Sequence, residues 1–404
     1  MFLAGKKVLV GVTGSIASYK TSYLVRLFVK QGAIVRVVMT ESAEEFITPL
    51  TLATLSRNPV VKSFKKQTAH QTDWNNHIKL ALWADYFVVA PVTANTLSKM
   101  ATGGCDNLLM GIYLSAKCPV YVAPAMDLDM YRHTPTKHNI QTLRQSGVYV
   151  IPSEEGELAS SLYGEGRMAE PENIISFINN SIAETLPLKG KKLLITSGPT
   201  QEAIDPVRYI SNYSSGKMGY ALTQKALDYG ANVILISGPT NLQIRSHPNL
   251  SIHDIVSTKA MFHEVEKHFN TCDVAFFTAA VSDYRPLNVA SEKMKKKDKT
   301  INITLEQTED IIKHFGALKN KQFVVGFALE TENEIENAKK KMIDKNADAI
   351  ILNSLRDEGV DFGANTNKVR IISKSGEMRE YDTKLKINVA EDILDFVVNS
   401  IAKE

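Results

Sequence analysis

The stretch GKKVLVGVTGSIA at residues 5–17 joins a short apolar run to a glycine-serine turn. Lys7–Val12 reads as a buried parallel strand, because the run is short, apolar and bounded by a turn. The segment that begins near Ile16 reads as the helix that follows this strand. Apolar runs and helical segments continue to alternate to the end of the chain, which predicts an α/β protein built on doubly wound, mostly parallel sheets.

The pattern restarts in the second half at GKKLLITSGPT, residues 190–200. We therefore predict two domains, residues 1–186 and 187–404, separated by the linker 184–190, which contains proline and glycine. Further strands are predicted at 34–39, 86–90, 120–123, 148–151, 191–196, 233–237, 274–278, 323–327 and 349–352, with a hairpin at 368–373 and 377–381. Further helices are predicted to begin near Ala43, Ala94 and Pro135.

The second domain has the longer loop after its first strand. Gly190 and Gly230 are 40 positions apart, whereas the equivalent Gly5 and Gly32 are 27 apart, so about 13 extra residues lie between strand and helix. Ligands of such sheets bind at the carboxyl ends of the strands, where this loop lies. The insert indicates a bulky or reactive substrate, and an idle insertion is the alternative.

The composition limits the class of protein. Of 404 residues, 44% are hydrophobic and 23% charged, as in ordinary globular proteins, and the net charge of +3 gives no basic field that would attract nucleic acid. No apolar run approaches the ~20 residues of a membrane span, and the N-terminus reads as a strand rather than a signal peptide. Three cysteines without a CxxC pair predict neither disulfides nor a zinc site and suit a reducing cytoplasm.

Small and polar residues follow three predicted strands of the first domain. The turn 14–17 opens a helix whose N–H groups can hold a phosphate, although such a turn often has only a structural purpose. Thr40 and Ser42 follow the second strand, and the polar segment 91–96 follows the next one. Three strand ends with ligand-binding chemistry are a stronger indication of a site than one.

Three more residues of the first domain are candidates for chemistry. His77 is a lone histidine, which is more often structural than catalytic. Asp127 follows another predicted strand and is expected in the same crevice. Arg167 ends a flexible turn at 164–168, where it holds a carboxylate or phosphate or, alternatively, is a solvated loop arginine.

The insert of the second domain is dense in polar groups. Asp205 and the proline after it predict a turn, Arg208 can hold an anion with two hydrogen bonds, and 214–216 opens the next helix as a phosphate cradle. The Ser-Gly-Lys at 215–217 is not part of a GxxxxGK[ST] motif, so we reject a Walker A loop.

The charged residues that follow the insert each have a functional and a structural interpretation. Asp283 follows a strand and can bind ribose, base or Mg²⁺. The lysine run at 293–297 is a lid over phosphates or a solvated segment. Lys341 and Lys345 are four positions apart on one predicted helix and can meet the same triphosphate, but a surface face is the more common arrangement.

The order of these motifs is similar to that of flavin-containing cysteine decarboxylases. Over essentially the whole chain it resembles the family of bifunctional phosphopantothenoylcysteine decarboxylase/phosphopantothenate–cysteine ligases of coenzyme A synthesis. The resemblance implies a flavodoxin-like FMN domain followed by a Rossmann-like, CTP-dependent ligase domain. In that family FMN oxidises the substrate thiol to a thioaldehyde, CO₂ is lost, and reduced FMN returns a hydride while a cysteine supplies a proton.

For the first domain the resemblance implies a catalytic role for His77 in the oxidation step and substrate contacts at Met126, Arg167 and Met168. The implied FMN contacts are Gly14, Ser15, Ile16, Ala17, Thr40, Ser42, Pro91, Thr93, Ala94, Asn95 and Thr96.

The first domain departs from the family pattern at two positions. Asp127 stands where the family has asparagine, and Ser160 stands where the proton-donating cysteine is expected. A thiol has a pKa near ~8.5 and a serine hydroxyl is far less acidic, so serine does not simply replace cysteine as an acid. Our candidate for the donor is Asp127, and Cys105 is a weaker one.

For the second domain the resemblance implies that CTP converts phosphopantothenate to an acyl-cytidylate with release of pyrophosphate, that cysteine then attacks, and that Mg²⁺ neutralises the triphosphate. Lys293 matches the lysine that forms the acyl-cytidylate, and Asn212 matches the asparagine that consumes it. No residue is assigned to the metal. The substrate-binding candidates are Arg208, Ser214, Phe277, Thr278, Ala279, Asp283, Glu309 (where the family has proline), Asp310, Ile311, Ile312, Phe327, Lys341 and Lys345.

The predicted partners are therefore small molecules, and the resemblance implies a large homo-oligomer, as trimers of dimers or a dodecamer. One alternative keeps only the ligase active, with the first domain as an assembly scaffold. Another is a nucleotide-binding sensor without chemistry. A dehydrogenase is disfavoured, because neither half has GxGxxG with an acidic residue about 20 positions further on.

Overall fold

The computed structural model describes residues 2–67, 72–295, 301–330, 332–354 and 363–402. It divides into two compact units, Met1–Glu184 and Thr185–Glu404, called here the first and the second unit, and their border lies two residues before the predicted one. Among the helices in the described ranges, none combines the length and the apolar character that a bilayer span needs.

The first unit alternates strands and helices. Its strands are β1 (Lys7–Val12), β2 (Ile34–Met39), β3 (Val60–Val61), β4 (Lys65–Gln67), β5 (Thr72–Trp74), β6 (Tyr86–Val92), β7 (Val120–Pro124), β8 (Tyr149–Val150), β9 (Glu154–Glu157) and β10 (Tyr163–Arg167). Its helices are α1 (Tyr19–Lys30), α2 (Pro49–Ser56), α3 (His77–Trp83), α4 (Ala94–Thr102), α5 (Leu108–Ser115), α6 (Leu128–Arg132), α7 (Thr134–Gln145) and α8 (Pro171–Glu184), with 3-10 turns at Ile16–Ser18 and Glu41–Ala43.

The main sheet of the first unit is parallel throughout, in the order β3-β2-β1-β6-β7-β8. Without the two-residue edge strand β3 this is the 2-1-3-4-5 order of flavodoxin-like folds. The order reverses between β1 and β6, so their carboxyl ends form the crevice in which such folds bind ligands. The predicted helix near Ala43 is only a 3-10 turn, and α2 begins at Pro49 after the capping residue Thr48.

The prediction of a flexible turn at 164–168 is wrong. Tyr163–Arg167 is strand β10, which pairs antiparallel with β9. Glycine is needed at position 166, because a Cβ there would lie 2.4 Å from the carbonyl oxygen of Met126, and the Gly166 carbonyl accepts the Met126 N–H at 3.0 Å. The hairpin therefore packs directly on the loop after β7.

The second unit is larger. Its strands are β11 (Lys192–Ser197), β12 (Gln201–Ala203), β13 (Tyr209–Ser211), β14 (Asn232–Ser237), β15 (Leu250–Asp254), β16 (Val274–Phe277), β17 (Tyr284–Pro286), β18 (Leu305–Gln307), β19 (Phe323–Glu330), β20 (Ala349–Ser354), β21 (Thr366–Asn367), β22 (Arg370–Ser373), β23 (Met378–Glu380) and β24 (Lys384–Leu385). Its helices are α9 (Lys217–Asp228), α10 (Thr258–Phe269), α11 (Ile311–Leu318), α12 (Glu334–Asp344) and α13 (Lys386–Ile401).

The main sheet of the second unit has eight strands in the order β15-β14-β11-β16-β19-β20-β22-β23. The first six are parallel, in the 3-2-1-4-5-6 order of Rossmann folds, and the hairpin of β22 and β23 is antiparallel. Apolar clusters lie against both faces of this sheet. The predicted fold class is confirmed, and the 13-residue insert contains the antiparallel pair of β12 and β13.

Candidate functional site

A threonine joins two strand ends at the crevice of the first unit. Thr13, directly after β1, donates a hydrogen bond from Oγ1 to the carbonyl of Pro91 at 2.9 Å and accepts one from the Thr93 N–H at 3.1 Å. Gly14 lies against the end of β2, because a Cβ there would be 2.6 Å from Ser42 Oγ. The structure therefore brings the three predicted strand ends together.

Two helical segments begin at this crevice. Ser15 caps the 3-10 turn Ile16–Ser18 by accepting the Ala17 N–H at 3.3 Å. Thr93 caps α4 by accepting the Thr96 N–H at 3.4 Å. The N–H groups of a first helical turn have no intrahelical partner, and the helix dipole adds positive potential there, so both starts can bind an anion.

A cavity of about 330 Å³, called here the hairpin cavity, lies beside the first of these starts. It brings together eight of the residues predicted from the sequence, whereas Thr40, Ser42 and the segment 91–96 do not line it. The eight residues are Ser15, Ile16, Ala17, Met126, Asp127, Ser160, Arg167 and Met168.

The two residues of the first unit that depart from the expected family pattern touch each other in this cavity. Ser160 Oγ donates a hydrogen bond to Asp127 Oδ1 at 2.9 Å. The same oxygen accepts the Leu128 N–H at 2.7 Å, so Asp127 also caps the short helix α6. Asp127 is an acceptor in both hydrogen bonds.

Arg167 is held by neighbouring charges at the wall of the hairpin cavity. Its Nη2 lies 2.6 Å from Glu170 Oε1, and Lys20 Nζ donates to the same oxygen at 2.8 Å and to the carbonyl of Met168 at 2.9 Å. The hydrogen bond from Lys20 is the main cause that lowers the pKa of Glu170. Arg167 is therefore anchored on one side and exposed to the cavity on the other.

His77 is the first residue of α3, after the capping residue Asn76. Its ring packs edge-on against Phe64 with centroids 5.7 Å apart, and it does not line the hairpin cavity. Its Nδ1 is buried and has no hydrogen-bond partner among the described residues. A buried polar atom of this kind is costly unless a ligand satisfies it, which argues against a purely structural histidine.

Two adjoining cavities lie at the carboxyl ends of the strands in the second unit. Cavity A has about 360 Å³ and cavity B about 540 Å³. Five residues line both: Ala279, Val281, Asp283, Phe327 and Lys341. The predicted substrate-binding residues that line cavity A are Phe277, Ala279, Asp283, Glu309, Asp310, Ile311, Ile312, Phe327, Lys341 and Lys345. Cavity B adds Asn212, Ser214 and Thr278.

The start of α9 forms one wall of cavity B. A Cβ at Gly219 would lie 2.3 Å from Ser197 Oγ and 2.8 Å from Thr278 Oγ1, so only glycine lets this helix approach the strand ends so closely. Ser197 Oγ also donates to the carbonyl of Gly216 at 3.0 Å. The helix N-terminus therefore faces the cavity, as an anion-binding site requires.

Lys341 and Lys345 contradict the surface-face interpretation. Both line cavity A, and Lys341 Nζ donates to the carbonyl of Phe327 at 3.0 Å. Burial, followed by repulsion from Lys345, lowers the pKa of Lys341. Lys345 Nζ lies 3.2 Å from Asp310 Oδ2. Lys341 near the end of α12 and Lys345 directly after it thus present two amines to a cavity that is also lined by carboxylates.

Comparison with known proteins extends over the whole chain. Residues 3–183 match the family model described as "Flavoprotein", and residues 188–401 match "DNA/pantothenate metabolism flavoprotein C-terminal domain". The coenzyme A biosynthesis bifunctional protein CoaBC of Bacillus subtilis is 43% identical over 395 residues, which cover 97% of this chain and 96% of that protein. The protein of the same name from Haemophilus influenzae is 39% identical over 404 residues, all of both chains.

The chain belongs to the CoaBC family. A further relative, the cysteine/cysteine sulfinic acid decarboxylase of an unknown prokaryotic organism, is 47% identical over 353 residues, which cover 86% of this chain and 98% of that protein. Membership in the CoaBC family makes the first unit a flavoprotein domain, in agreement with the sequence prediction.

In this CoaBC-family chain Arg208 does not occupy the anion-binding position that the sequence predicted. Its guanidinium does not line either cavity but pairs with the buried carboxylate of Asp205 and donates to the carbonyl of Met294 at 3.0 Å. The Met294 N–H in turn donates to Asp205 Oδ2 at 3.1 Å. The hydrogen bond from Arg208 is the main cause that lowers the pKa of Asp205. The pair therefore holds the backbone of the lysine segment instead of binding an anion.

Lys293 precedes this anchored residue. It is exposed and lines neither cavity, and the predicted lid residues 296 and 297 lie outside the described residues. Asn212 lines cavity B and donates from Nδ2 to the carbonyl of Val281 at 2.8 Å. The two residues with predicted catalytic roles are thus held by different loops.

Three residues of cavity B were missed by the sequence analysis: Asn353, Asn367 and Lys386. The side-chain oxygens of both asparagines are buried and have no hydrogen-bond partner among the described residues. Asn353 follows a predicted strand directly, so its place at a carboxyl end was a usable signal. Asn367 and Lys386 come from short segments without a motif, so nothing local in the sequence indicated them.

Proposed function

We propose that this CoaBC-family chain catalyses two consecutive steps of coenzyme A biosynthesis. In this proposal the second unit ligates cysteine to phosphopantothenate with CTP, and the first unit decarboxylates the product to phosphopantetheine with FMN. The observation that carries the proposal is the meeting of thirteen sequence-predicted residues in the adjoining cavities A and B.

For the ligase we assign the nucleotide to cavity A and the acyl substrate to cavity B. Lys341 and Lys345 offer two cationic groups to a triphosphate, and the start of α9 offers N–H groups to a phosphate or carboxylate. The substrate carboxylate attacks the α-phosphorus of CTP and pyrophosphate leaves. The cysteine amine then attacks the acyl carbon, CMP leaves, and an amide forms.

Mg²⁺ is the metal we propose for the ligase. Asp283, Glu309 and Asp310 line cavity A, and carboxylate oxygens are the ligands that Mg²⁺ prefers besides phosphate and water. When bound with CTP, the ion neutralises charge on the leaving pyrophosphate. The family resemblance assigns the formation of the acyl-cytidylate to Lys293 and its consumption to Asn212, and we adopt both roles.

FMN is the flavin we propose for the first unit. Its phosphate has a suitable cradle in the turn 14–17 and at the start of α4, and the unsatisfied Nδ1 of His77 supports a ligand nearby. When bound, FMN supplies reversible hydride transfer. The residues of the chain then bind the substrate and move protons: His77 acts in the oxidation step, and Arg167 holds an anionic group of the substrate.

We propose that Asp127 and Ser160 together deliver the last proton. The hydrogen bond between them makes the serine hydroxyl a bridge between the carboxyl group and the hairpin cavity. A hydroxyl accepts one proton while it passes on another, so Ser160 need not be the acid itself. In the proton-delivering state Asp127 carries a proton and donates it to Ser160 Oγ, while Ser160 passes its own hydroxyl proton to the substrate. The transfer leaves Asp127 as the carboxylate that accepts from Ser160, which is the arrangement in the structure.

Two alternative functions of the first unit can be distinguished by product analysis. The scaffold alternative predicts ligation without decarboxylation. The 47% identical relative, named a cysteine/cysteine sulfinic acid decarboxylase, favours a second candidate in which the free amino acid is the substrate. The exposed serine hairpin and Arg167 would then face a smaller substrate.

The test is product analysis of the full chain with phosphopantothenate, cysteine, CTP and Mg²⁺. We expect pyrophosphate, CMP, CO₂ and phosphopantetheine, and no CO₂ from cysteine or cysteine sulfinate alone. Phosphopantothenoylcysteine without CO₂ would establish the scaffold alternative. The second candidate would be established if CO₂ were released from cysteine or cysteine sulfinate but not from phosphopantothenoylcysteine.

We also propose that the chain assembles as a homo-oligomer, as trimers of dimers or a dodecamer, in the cytoplasm. Large apolar side chains are exposed in the first unit, including Ile16, Tyr19, Leu50 and Leu82, which supports an interface there. The three cysteines are free thiols, as expected in a reducing compartment. Light scattering after size exclusion measures the number of chains.

A further inference from the structure

A cluster of two histidines and a glutamate lies in the second unit, away from both cavities. His253 is on the edge strand β15, and Glu264 and His268 are four positions apart on α10. The ligand atoms of these three side chains all lie within 4.8 Å of one another. None of the three lines cavity A or cavity B, so the proposed reactions do not use them.

One carboxylate oxygen is shared by both imidazoles. Glu264 Oε1 lies 2.7 Å from His253 Nδ1 and 3.3 Å from His268 Nε2. In a tetrahedral site with bonds of about 2.0–2.2 Å, neighbouring ligand atoms are about 3.3 Å apart. The third distance, between the ligand atoms of the two imidazoles, lies within 4.8 Å, so the side chains have to close by up to about 1.5 Å to bring all three atoms to coordination distances. The side chains are only 14–30% exposed, which leaves an entry path for a small ion.

The outer face of His253 has a partner suited to a metal ligand. Its Nε2 lies 2.8 Å from Ser251 Oγ. Metal-bound histidines donate their other ring N–H to such a group, which holds the ring in the tautomer that has a lone pair toward the metal. Because a hydroxyl can donate or accept, Ser251 suits both the metal-free and the metal-bound tautomer.

A lysine competes for the same carboxylate. Lys267 Nζ lies 2.7 Å from Glu264 Oε2, and its hydrogen bond is the main cause that lowers the pKa of Glu264. It occupies the oxygen that faces away from the histidines. The lysine side chain is 64% exposed and can move into solvent, so it weakens but does not block a cation between the imidazoles.

We propose that His253, Glu264 and His268 bind one divalent cation of the zinc type, with water completing the coordination. Two imidazoles and one carboxylate favour Zn²⁺ over Mg²⁺, which prefers oxygen ligands. The ion would tie the edge strand β15 to α10. This site is independent of the Mg²⁺ proposed for CTP.

The test is equilibrium dialysis of the full chain against Zn²⁺, with the bound metal measured by mass spectrometry. We expect His253→Gln and His268→Gln each to bind one ion fewer per chain at a Zn²⁺ concentration that saturates the wild type. The matched control is His263→Gln, an exposed histidine of the same helix that faces Glu266 at 3.6 Å, which should bind as many ions as the wild type. Lys267→Gln should bind Zn²⁺ several-fold more tightly.

A second measurement needs no variant of the cluster. Diethyl pyrocarbonate modifies accessible imidazoles, and we expect Zn²⁺ to protect His253 and His268 but not His263 from it. Mg²⁺ should protect none of them. Equal modification with and without Zn²⁺, or equal ion counts in wild type and both cluster variants, would overturn the proposal and leave an ion-pair cluster closed by Lys267.

Discussion

Ser160 donates a hydrogen bond to Asp127 across 2.9 Å, which links the two positions of the first unit where the family resemblance led us to expect a cysteine and an asparagine. Asp127 is held at the start of α6, and Ser160 lies between the strands of the β9–β10 hairpin. Because these two residues contact each other, we interpret them as one altered arrangement for proton delivery and not as two separate losses of catalytic groups. The proposed proton delivery therefore requires the hairpin that carries Ser160 to be in place over the cavity.

Asp127→Asn is expected to slow phosphopantetheine formation from phosphopantothenoylcysteine by on the order of 10²- to 10⁴-fold, because an amide cannot supply the proton. Release of CO₂ should continue and the enethiol product should accumulate, as followed by mass spectrometry. Ser160→Ala should slow the same step. Ser160→Cys should not slow it, because this variant has a thiol at the same position that can supply the proton. Normal phosphopantetheine formation in Asp127→Asn would rule out the carboxyl group as the proton source.

His77→Asn is expected to retain FMN but to lose reduction of the flavin by the substrate, by at least about 10²-fold in stopped-flow absorbance. The physical reason is that the Nδ1, which has no hydrogen-bond partner among the described residues, is available to a ligand, while the ring packs edge-on against Phe64. The matched control is His138→Asn, on the exposed face of α7. Loss of flavin from the His77 variant would instead make this residue structural.

Lys293→Gln and Asn212→Asp are expected to stop the ligase at different stages. Lys293 directly precedes Met294, whose backbone Arg208 and Asp205 anchor, and its proposed role is to form the acyl-cytidylate, so its loss should prevent that step. Asn212 is held on the carbonyl of Val281 beside cavity B, so Asn212→Asp should accumulate the acyl-cytidylate. Quenched-flow mass spectrometry measures the intermediate, with Lys295→Gln as the control lysine. Equal amounts of intermediate in both variants would contradict the division of roles.

Arg208→Met is expected to lower the ligase kcat/KM on the order of 10²-fold, because a misplacement of about 1 Å in a catalytic segment has an effect of this size. Arg208 and Asp205 together hold both backbone groups of Met294, next to Lys293. Arg208→Lys should be more active than Arg208→Met, since lysine retains the positive charge but cannot form the paired hydrogen bonds of the planar guanidinium. Full activity in Arg208→Met would show that the segment does not need this anchor.

The same pair predicts a pH dependence of stability. The pKa of Asp205 is lowered in the folded chain, so its stabilising contribution is present above the ordinary aspartate pKa of about 3.9 and is lost as the pH falls toward the lower native value. Asp205→Asn should be less stable than the wild type at neutral pH, and the difference should shrink below about pH 4. Urea unfolding at a series of pH values measures it, and a constant difference would contradict the assignment.

Most of the fold could be predicted because buried parallel strands are continuous apolar runs. The runs at Lys7–Val12 and Ile34–Met39 were predicted with the bounds that the structure shows. The short two-stranded pairs and several exposed strands were missed, among them β15 and the β9–β10 hairpin. β15 lies at a sheet edge and is largely exposed, and the β9–β10 hairpin is rich in glycine and glutamate, so neither has the apolar signal of a core strand.

The residues of the candidate site likewise comprise some that the sequence predicted and some that it did not. Local motifs after the strand β16, at 278–283, and before the helix α9, at 214–216, identified walls of cavities A and B, because in a parallel sheet the carboxyl ends of the strands and the starts of the following helices meet at one edge. Asn367 and Lys386 reach cavity B from segments that have no motif. Only the folded chain brings them there.

The sequence alone specified the two α/β domains, their family and the loops that carry ligands, since these follow from local apolar periodicity and short motifs. The tertiary structure decided where each polar side chain is directed. Arg208 was expected at an anion and instead pairs with Asp205 and Met294, and Ser160 meets Asp127, 33 positions away. A side chain's partner depends on contacts between distant segments, and residue type and spacing do not encode these contacts locally.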